Sequence, residues 1–395
     1  MRAPLPPADV ADLGLCPDRM RRLVGVLQAD VERGRLPGAV VVLARHGRIA
    51  LMEGIGQLDP ARDAPMPLDA VFRIYSMTKP IVSVAVMMLI EQGRLKLADP
   101  VHLHLPEYAN QQLAVQTPDG VQLRPVQRPA TVQDLLRHTA GLTYEFLGDS
   151  SVQQMYRQEN MGARGRSNAE FSHALAALPL MFEPGSVWAY SRATDVLGRL
   201  VEVVTGQTLA DHLQQAILAP LGMTDTAFTV PEADHDRIAE PFAHDPDGGI
   251  PLQLINPREH PTLQSGGGGL MSTAADYARF LQFVLNKGEL GGVRLLGPRT
   301  VDFMTADHLG QIPGNDPALL PPGHGFGLGF AVRTAPGVAP MPGSVGTVHW
   351  SGIGGTSFFV DPAEQLFGIF LAQAPNQREH YRALFRTLAY AALVD

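Results

Sequence analysis

The sequence predicts an α+β fold, in which both ends of the chain build a mixed α/β domain and a mostly helical domain is inserted between them. Strand-like runs of β-branched and apolar residues lie near both chain ends. Apolar residues with helical spacing predominate in the middle. With 395 residues, 45% of them hydrophobic, the chain can bury one large core or two smaller ones. We therefore predict an α/β domain from residues 1–80 and 260–395 and a helical domain from residues 81–259.

The N-terminal part is predicted to form a helix followed by a β-hairpin. Apolar residues recur with helical spacing over residues 17–33, and a glycine follows as a stop signal. Residues 38–45 are apolar and rich in valine, and residues 49–54 form a second apolar run. A His-Gly pair separates the two runs and indicates a turn.

The rest of the chain shows the helical and the strand pattern in succession. Helices are predicted at residues 77–92, 132–137, 168–177, 193–205, 209–218 and 274–286. Strands are predicted at residues 326–333, 347–350, 356–360 and 366–373, before a closing helix at residues 378–394. The Pro/Gly-rich residues 309–325 are predicted to form a surface loop.

The composition disfavours several classes of function. A formal net charge of −8 provides no electrostatic attraction for nucleic acid or an anionic membrane. A single cysteine, Cys16, excludes an intrachain disulfide framework and a multi-cysteine metal centre. No apolar run approaches the ~18 residues of a membrane span, and no secretory signal is visible. We expect a cytoplasmic protein with no nucleic-acid or membrane partner, and the oligomeric state is left open.

The strongest chemical signal is Ser76-Met-Thr-Lys79-Pro80, directly before an apolar helix. Residues three apart share a helix face, so the Lys79 amine points back toward the Ser76 hydroxyl. A lysine in a dry site at the positive end of a helix dipole can lose its proton and act as the base that a nucleophilic serine needs. The alternative is that Ser76 only caps the helix and Lys79 is an ordinary first-turn residue.

The scarcity of lysine favours the catalytic interpretation. Of the 31 Lys and Arg residues only three are lysines, at positions 79, 96 and 287. With 13 serines in the chain, about 0.1 Ser-x-x-Lys matches are expected by chance. Arginine cannot lose its proton at workable pH, so a position that requires a neutral base cannot be filled by arginine.

Two further segments carry groups that acyl transfer needs. Tyr190 lies at a predicted helix start, where N–H dipoles and a nearby ammonium favour a phenolate or a strongly hydrogen-bonding phenol. Residues 349–356 form a strand edge running into glycines, which lets backbone N–H groups approach a developing oxyanion. Taken alone, Tyr190 and Trp350 are also explained by ordinary packing. The glycine run 266–269 lacks the following lysine of a phosphate-binding loop and is interpreted as a turn beneath the site.

Together these segments resemble the serine β-lactamase and penicillin-binding-protein superfamily, and more closely the family VIII carboxylesterases on the class C β-lactamase fold. The resemblance spans residues 20–375, with supporting stretches at 134–142, 183–185 and 266–276. It implies an antiparallel sheet flanked by helices, with the active site between the two domains. Its three motifs, in the family's order, are Ser76-x-x-Lys79, Tyr190-Ser191 and Trp350-Ser351-Gly352.

The resemblance also implies roles for four residues. Ser76 is the nucleophile that becomes acylated, and Lys79 and Tyr190 share the general-base and general-acid work. The backbone N–H groups of Ser76 and Ile353 form the oxyanion hole. No metal and no cofactor are implied.

Departures from the family pattern indicate the substrate class. β-Lactamases and peptidases of the superfamily carry Lys-Thr-Gly on the strand, whereas this chain has Trp350-Ser351-Gly352. Loss of that lysine removes a charge-assisted anchor for a substrate carboxylate, and an indole favours a neutral apolar substrate. Arg192 stands where class C enzymes have an asparagine that contacts the substrate amide. We therefore expect a small neutral, short-chain ester as substrate. Its binding site should include Trp350, Gly352 and Tyr144, and ordinary packing is the alternative explanation for Tyr144.

Two alternatives stay open at the level of the sequence. One is an acyltransferase, β-lactamase or D-amino-acid peptidase with the same Ser-Lys-Tyr machinery. The other is a non-catalytic penicillin-binding-like module, which would form at most a stable adduct on Ser76. The chain has no Gly-x-Ser-x-Gly segment, which disfavours an α/β-hydrolase esterase.

Overall fold

The computed structural model describes residues 5–62, 64–249 and 251–394. The α-helices are α1 (Pro17–Glu32), α2 (Thr78–Glu91), α3 (Val132–Leu136), α4 (Ser151–Gln158), α5 (Asn168–Ala176), α6 (Ala193–Thr205), α7 (Leu209–Leu213), α8 (Ala219–Leu221), α9 (Ala274–Leu285), α10 (Pro298–Met304) and α11 (Arg378–Ala391). None of these helices is both long and apolar enough to cross a membrane. The strands are β1 (Gly38–Arg45), β2 (Arg48–Asp59), β3 (Ala64–Pro65), β4 (Phe72–Arg73), β5 (Gln112–Thr117), β6 (Gly120–Pro125), β7 (Met271–Ser272), β8 (Glu289–Leu290), β9 (Val293–Arg294), β10 (His324–Phe326), β11 (Ala331–Arg333), β12 (Val348–Gly352), β13 (Thr356–Asp361) and β14 (Leu366–Ala372).

The main sheet is antiparallel and joins strands from both ends of the chain. Its strand order is β10-β11-β12-β13-β14-β1-β2-β3, and neighbouring strands run antiparallel. The pairing of β1 with β14 sets Ala39 opposite Ala372 and Arg45 opposite Leu366. The predicted α+β class, with an antiparallel sheet flanked by helices, is therefore confirmed. The division into domains at residues 80 and 260 stays a prediction.

Strand β1 is buried on both faces because its alternate side chains enter two different cores. Val40 and Val42 join the larger core, which also contains the apolar residues of α2 and α9. Val41 and Leu43 join the smaller core, which α1 and α11 cover. The helix that follows Ser76 is buried over most of its length, as its apolar sequence predicts.

Most local elements lie where the sequence pattern predicts them. The helix predicted at residues 17–33 is α1, the predicted hairpin is β1–β2, and the helix predicted at residues 193–205 has the bounds of α6. These predictions rest on short-range periodicity, and the secondary structure that it favours is the one observed in the folded chain.

Two predictions of local structure are wrong. The single strand expected at residues 326–333 is two strands, β10 and β11, because the chain turns between Gly327 and Phe330. Gly329 adopts φ +100° in that turn, a conformation that favours glycine. The closing helix ends at Ala391, before the predicted residue 394. The hairpin β5–β6 is an additional element within the region predicted to be mostly helical.

Candidate active site

Ser76 lies in a 3-10 turn, Tyr75–Met77, that leads directly into α2. Tyr75 has φ +43°, a left-handed conformation that is strained for a bulky residue. The Tyr75 hydroxyl accepts a hydrogen bond from Ile255 N–H at 3.0 Å, and its ring lies so close to Gly354 that a Cβ there would be 2.7 Å away. These contacts hold the turn so that Ser76 lines a cleft.

The Lys79 side chain is buried with its amine directed at Ser76, one turn earlier on the same helix face. Lys79 is 1% exposed, and its Nζ donates to Ser76 Oγ at 3.1 Å. The same amine donates to Tyr144 Oη at 3.0 Å and to the Gly267 carbonyl at 2.6 Å. Burial lowers the pKa of Lys79 to about 7, the Asp195 carboxylate partly opposes this shift, and the nearby Arg192 adds to it.

Tyr190 completes a three-membered cluster around the serine hydroxyl. The Tyr190 hydroxyl donates to Ser76 Oγ at 2.6 Å and accepts from Trp350 Nε1 at 3.2 Å. Lys79 Nζ lies 4.5 Å from the centroid of the Tyr190 ring. Burial raises the pKa of Tyr190, so of the two forms considered from the sequence the structure favours the hydrogen-bonding phenol over the phenolate.

The turn between β12 and β13 packs against the chain segment that precedes Ser76. The Thr356 hydroxyl donates to the Ile74 carbonyl at 3.3 Å, and a Cβ on Gly352 would lie 2.5 Å from the same oxygen. Gly352 therefore permits close backbone approach beside the cleft, while Trp350 and Ile353 line the cleft itself. The oxyanion role of Ile353 and the substrate-binding role of Gly352 stay predictions.

Asp195 and Gly267 belong to the lysine's surroundings; Asp195 is not among the residues that the sequence indicated, whereas Gly267 lies in the glycine run 266–269. Asp195 Oδ1 accepts hydrogen bonds from the Ser265 hydroxyl at 2.5 Å and from Gly267 N–H at 3.0 Å. The carbonyl of Gly267 in turn accepts from Lys79. The glycine run 266–269 is the sequence signal for the hydrogen bond between Lys79 and Gly267. Its interpretation as a turn beneath the site does not include that hydrogen bond.

The cleft beside Ser76 has a volume of about 460 Å³ and a mixed aromatic, apolar and cationic lining. Tyr144, predicted as a pocket residue, lines the cleft and also contacts Lys79. Arg192 forms an ion pair with Glu145 and lies 4.8 Å from the Tyr144 ring centroid. The apolar and aromatic lining residues are Tyr75, Tyr144, Phe146, Leu147, Tyr190, Ile255, Leu263, Leu319, Trp350 and Ile353.

An α+β fold with a serine, a buried lysine and a tyrosine grouped at one cleft defines a class of protein, the serine hydrolases of the β-lactamase fold. Comparison with known proteins agrees with this class. The beta-lactamase family model matches residues 23–392. Esterase EstB of Burkholderia gladioli is 36% identical over 368 residues, covering 87% of this chain and 87% of EstB. The lovastatin esterase of Penicillium rubens is 30% identical over 375 residues, covering 88% of this chain and 91% of that protein.

Solved structures show the same likeness. The structure of EstCE1, a hydrolase with promiscuous acyltransferase activity, matches with a TM-score of 0.80 at 28% sequence identity, covering 94% of this chain and 98% of EstCE1. The chain therefore belongs to the beta-lactamase family, fits the family VIII esterases within it, and is a serine hydrolase. The predicted cytoplasmic location and the predicted partners stay predictions.

Proposed function

We propose that the protein is a carboxylesterase that hydrolyses small neutral esters with short acyl chains through an acyl-enzyme on Ser76. The observation that carries this proposal is the buried Lys79 amine, 3.1 Å from the Ser76 hydroxyl oxygen. A serine becomes a strong nucleophile when a neighbouring base accepts its proton, and an amine with a pKa of about 7 can accept it near neutral pH.

Acylation begins with attack of Ser76 Oγ on the ester carbonyl carbon, while the serine proton passes to the neutral Lys79 amine. The backbone N–H groups of Ser76 and Ile353 are the proposed donors to the developing oxyanion. When the tetrahedral intermediate collapses, the bond to the alcohol oxygen breaks. The Tyr190 hydroxyl gives its proton to the leaving alcohol and regains one from Lys79, which is neutral again.

Deacylation repeats the same proton transfers with water as the nucleophile. Lys79, directly or through the Tyr190 hydroxyl, accepts a proton from water as its oxygen bonds to the acyl carbon. The bond to Ser76 Oγ then breaks, the serine recovers its proton, and the carboxylic acid is released. Because burial raises the pKa of Tyr190, its hydroxyl can relay a proton in both half-reactions without being left as a phenolate.

The aromatic and apolar part of the cleft lining supports a neutral substrate, although charged residues also line the cleft: Arg164, Arg192, Arg378, Glu379 and Arg382. Trp350 stands at the strand position where the peptidases and β-lactamases have a lysine, and its ring is held against Tyr190 with centroids 5.1 Å apart. Arg192 is paired with Glu145, so its charge is already balanced. The relatives EstB and lovastatin esterase are named as esterases, which supports an ester in preference to a β-lactam.

The proposal is tested by hydrolysis of p-nitrophenyl acetate, butyrate and octanoate. We expect the wild type to prefer the short chains, and Ser76→Ala and Lys79→Ala each to lose at least ~10³-fold in kcat/KM, because the residues act as one unit. Lys96→Ala is the matched control, since Lys96 is exposed and outside the cleft lining, and it should retain activity. Near-wild-type turnover by Ser76→Ala would refute the nucleophile assignment.

Acyl transfer to an alcohol is the second candidate, and the description of EstCE1 favours it. An alcohol would then replace water in deacylation and accept the acyl group from Ser76. Adding methanol to the p-nitrophenyl butyrate assay should yield methyl butyrate if this activity is present. Nitrocefin distinguishes a β-lactamase, and a stable Ser76 adduct without turnover would indicate a non-catalytic module.

A further inference from the structure

His138 connects the end of α3 to the segment that carries Tyr190. Its carbonyl accepts a hydrogen bond from Ala189 N–H at 2.9 Å, and a hydrogen bond of 3.1 Å joins its Nδ1 to Ser191 Oγ. These two partners are the residues on either side of Tyr190 in the chain. One histidine, about fifty positions away in sequence, therefore holds the chain both before and after Tyr190.

The imidazole ring of His138 also packs against the Tyr190 ring itself. The two centroids lie 5.0 Å apart with an angle of 61° between the ring planes, which is close to the edge-to-face arrangement that aromatic rings favour. The Phe326 ring lies 5.4 Å from the same imidazole, centroid to centroid. His138 thus constrains the side chain of Tyr190 as well as the chain around it.

The backbone of His138 has a conformation that glycine usually supplies. His138 follows Arg137, the C-cap of α3, and has φ +57°, in the left-handed region. Helices commonly end in this region with glycine, because a side chain is unfavourable there. Glycine would suit the backbone but would offer neither the hydrogen bond to Ser191 nor the ring contact with Tyr190. The chain therefore places at this helix end a side chain that both contacts require.

His138 is buried and uncharged, so it does not serve as an acid or a base itself. It is 1% exposed, and burial lowers its pKa well below the usual value, an effect to which the nearby charge of Lys79 adds. The neutral imidazole bonds to the Ser191 hydroxyl with Nδ1 as donor or as acceptor. Among the described residues, His138 is not one that lines the cleft. Any effect of His138 on the reaction therefore passes through its neighbours.

The Tyr190 hydroxyl has a demanding position to keep. It donates to Ser76 Oγ at 2.6 Å, and in the proposed reaction it then gives its proton to the leaving alcohol. A displacement near 1 Å costs about 10²-fold in rate at such a site. Contacts that fix Tyr190 from three directions are therefore contacts on which this proton transfer depends.

We propose that His138 is a positioning residue that holds the Tyr190 hydroxyl in place for proton transfer to the leaving alcohol. This role rests on the proposed function, because Tyr190 is the acid only in that reaction. Loss of the contacts should therefore harm esters according to the basicity of their leaving group. Ethoxide is a strong base and needs a proton as it leaves, whereas p-nitrophenolate leaves as a stable anion.

The test compares kcat/KM for ethyl butyrate and p-nitrophenyl butyrate in the wild type and in His138→Phe. The phenyl ring keeps the packing against Tyr190, while the hydrogen bond to Ser191 is lost. Because general acid catalysis contributes about 10²–10⁴-fold, we expect a loss of about tenfold or more with ethyl butyrate and of less than about threefold with p-nitrophenyl butyrate. Tyr190→Phe is the reference variant and should change the ratio of the two values at least as much.

Ser191→Ala removes the same hydrogen bond from its other end and leaves the left-handed position unchanged. It should shift the ratio in the same direction. The double variant should shift it no further than the stronger single variant, because both substitutions remove one interaction. His212→Phe is the matched control: His212 is 8% exposed, its Nδ1 is bonded to Gln207 Oε1 at 3.1 Å, and it lies outside the cleft lining, so the ratio should stay that of the wild type.

The outcomes separate the positioning role from the proposed function. If His138→Phe and Ser191→Ala lose activity equally on both esters, or on neither, while Tyr190→Phe changes the ratio, His138 only supports the fold and the positioning role is wrong. If Tyr190→Phe also leaves the ratio unchanged, or the wild type does not hydrolyse ethyl butyrate, the acid role of Tyr190 is wrong and the positioning role fails with it. A wild type that hydrolyses neither ester refutes the esterase proposal as well.

Discussion

At the scale of single residues, the proposed role of Lys79 as the base predicts how activity depends on pH. Burial lowers the pKa of Lys79 to about 7, so its amine is protonated in acid and neutral in mild base. A protonated amine has no lone pair with which to accept the serine proton. We therefore expect kcat/KM for p-nitrophenyl butyrate to rise through about pH 7 and then level off. A profile that is flat from about pH 6 to about pH 8 would contradict this role of Lys79.

A substitution at Asp195 should shift the pH dependence of kcat/KM while Ser76, Lys79 and Tyr190 stay unchanged. Its carboxylate raises the pKa of Lys79, against the effect of burial, and its Oδ1 holds Gly267 N–H at 3.0 Å. Asp195→Asn keeps a side-chain oxygen for that hydrogen bond and removes the negative charge. The neutral amine is then favoured, so the acid limb of kcat/KM should shift to lower pH, by about half a pH unit or more.

The control for this variant is Asp119→Asn, at an exposed position in the turn between β5 and β6. It makes the same change in net charge and should leave the pH profile where it is. An acid limb that stays in place in Asp195→Asn, or moves equally in both variants, would show that Asp195 does not control the charge of Lys79.

The sequence predicts the local part of this site better than the distant part. Ser76 and Lys79 are three residues apart, so helix geometry alone places the amine beside the hydroxyl. Tyr144 and Gly267 contact the same amine through tertiary packing, Asp195 acts on it through its charge, and no short-range pattern encodes these arrangements. For Tyr144 the sequence pattern allows both a pocket residue and ordinary packing, and no pattern around Asp195 indicates its contact with the site.

At the scale of elements, one physical reason explains why the sequence predicts helices well and strands less well. Helices such as α1 and α6 have an internal period that is visible in one segment of sequence. Strands are defined by partners elsewhere in the chain, so the apolar run at residues 326–333 could be assigned to a strand but not divided correctly. The hairpin β5–β6 had a usable signal, since Pro118 and Asp119 separate its two strands and Gly120 begins the second one.

The turn between β12 and β13 provides a test of how neighbouring elements position Ser76, the proposed nucleophile. A Cβ on Gly352 would lie 2.4 Å from Thr356 Oγ1 and 2.5 Å from the Ile74 carbonyl, so Gly352→Ala must push the turn away from the segment before Ser76. Overpacking of this kind costs about 1–3 kcal/mol, and a displacement near 1 Å at the site costs about 10²-fold in rate. We expect a lower Tm and a roughly 10²-fold lower kcat/KM for p-nitrophenyl acetate.

Gly165→Ala is the matched control because a Cβ there would have no neighbour within 4 Å. Its Tm and its kcat/KM should stay close to those of the wild type. If Gly352→Ala keeps full activity while its Tm falls, the turn stabilises the sheet and does not position the groups that react with the ester.

At the scale of the whole molecule, the cleft is assembled from segments that are far apart in the chain. Its lining runs from Tyr75 to Arg382 in sequence number, so neither chain end could form it alone. The segment 309–325, predicted as a surface loop, contributes to this assembly. Trp188 N–H donates to the Pro313 carbonyl at 2.8 Å, and Asn315 N–H donates to the Trp188 carbonyl at 3.1 Å. Leu319 of the same segment reaches the cleft lining.

Leu319 therefore provides a test of whether cleft volume sets the preferred substrate length. Leu319→Ala enlarges a cleft of about 460 Å³ on its apolar side, so longer chains should be admitted. Because one methylene in an apolar site discriminates by about tenfold or more, we expect the ratio of kcat/KM for p-nitrophenyl octanoate over butyrate to rise about 3–10-fold.

Leu123→Ala is the matched control. It removes the same atoms from a side chain that is 53% exposed on β6, outside the cleft lining, and should leave the ratio unchanged. An unchanged ratio in Leu319→Ala would mean that the segment 309–325 packs beside the cleft without limiting the acyl chain.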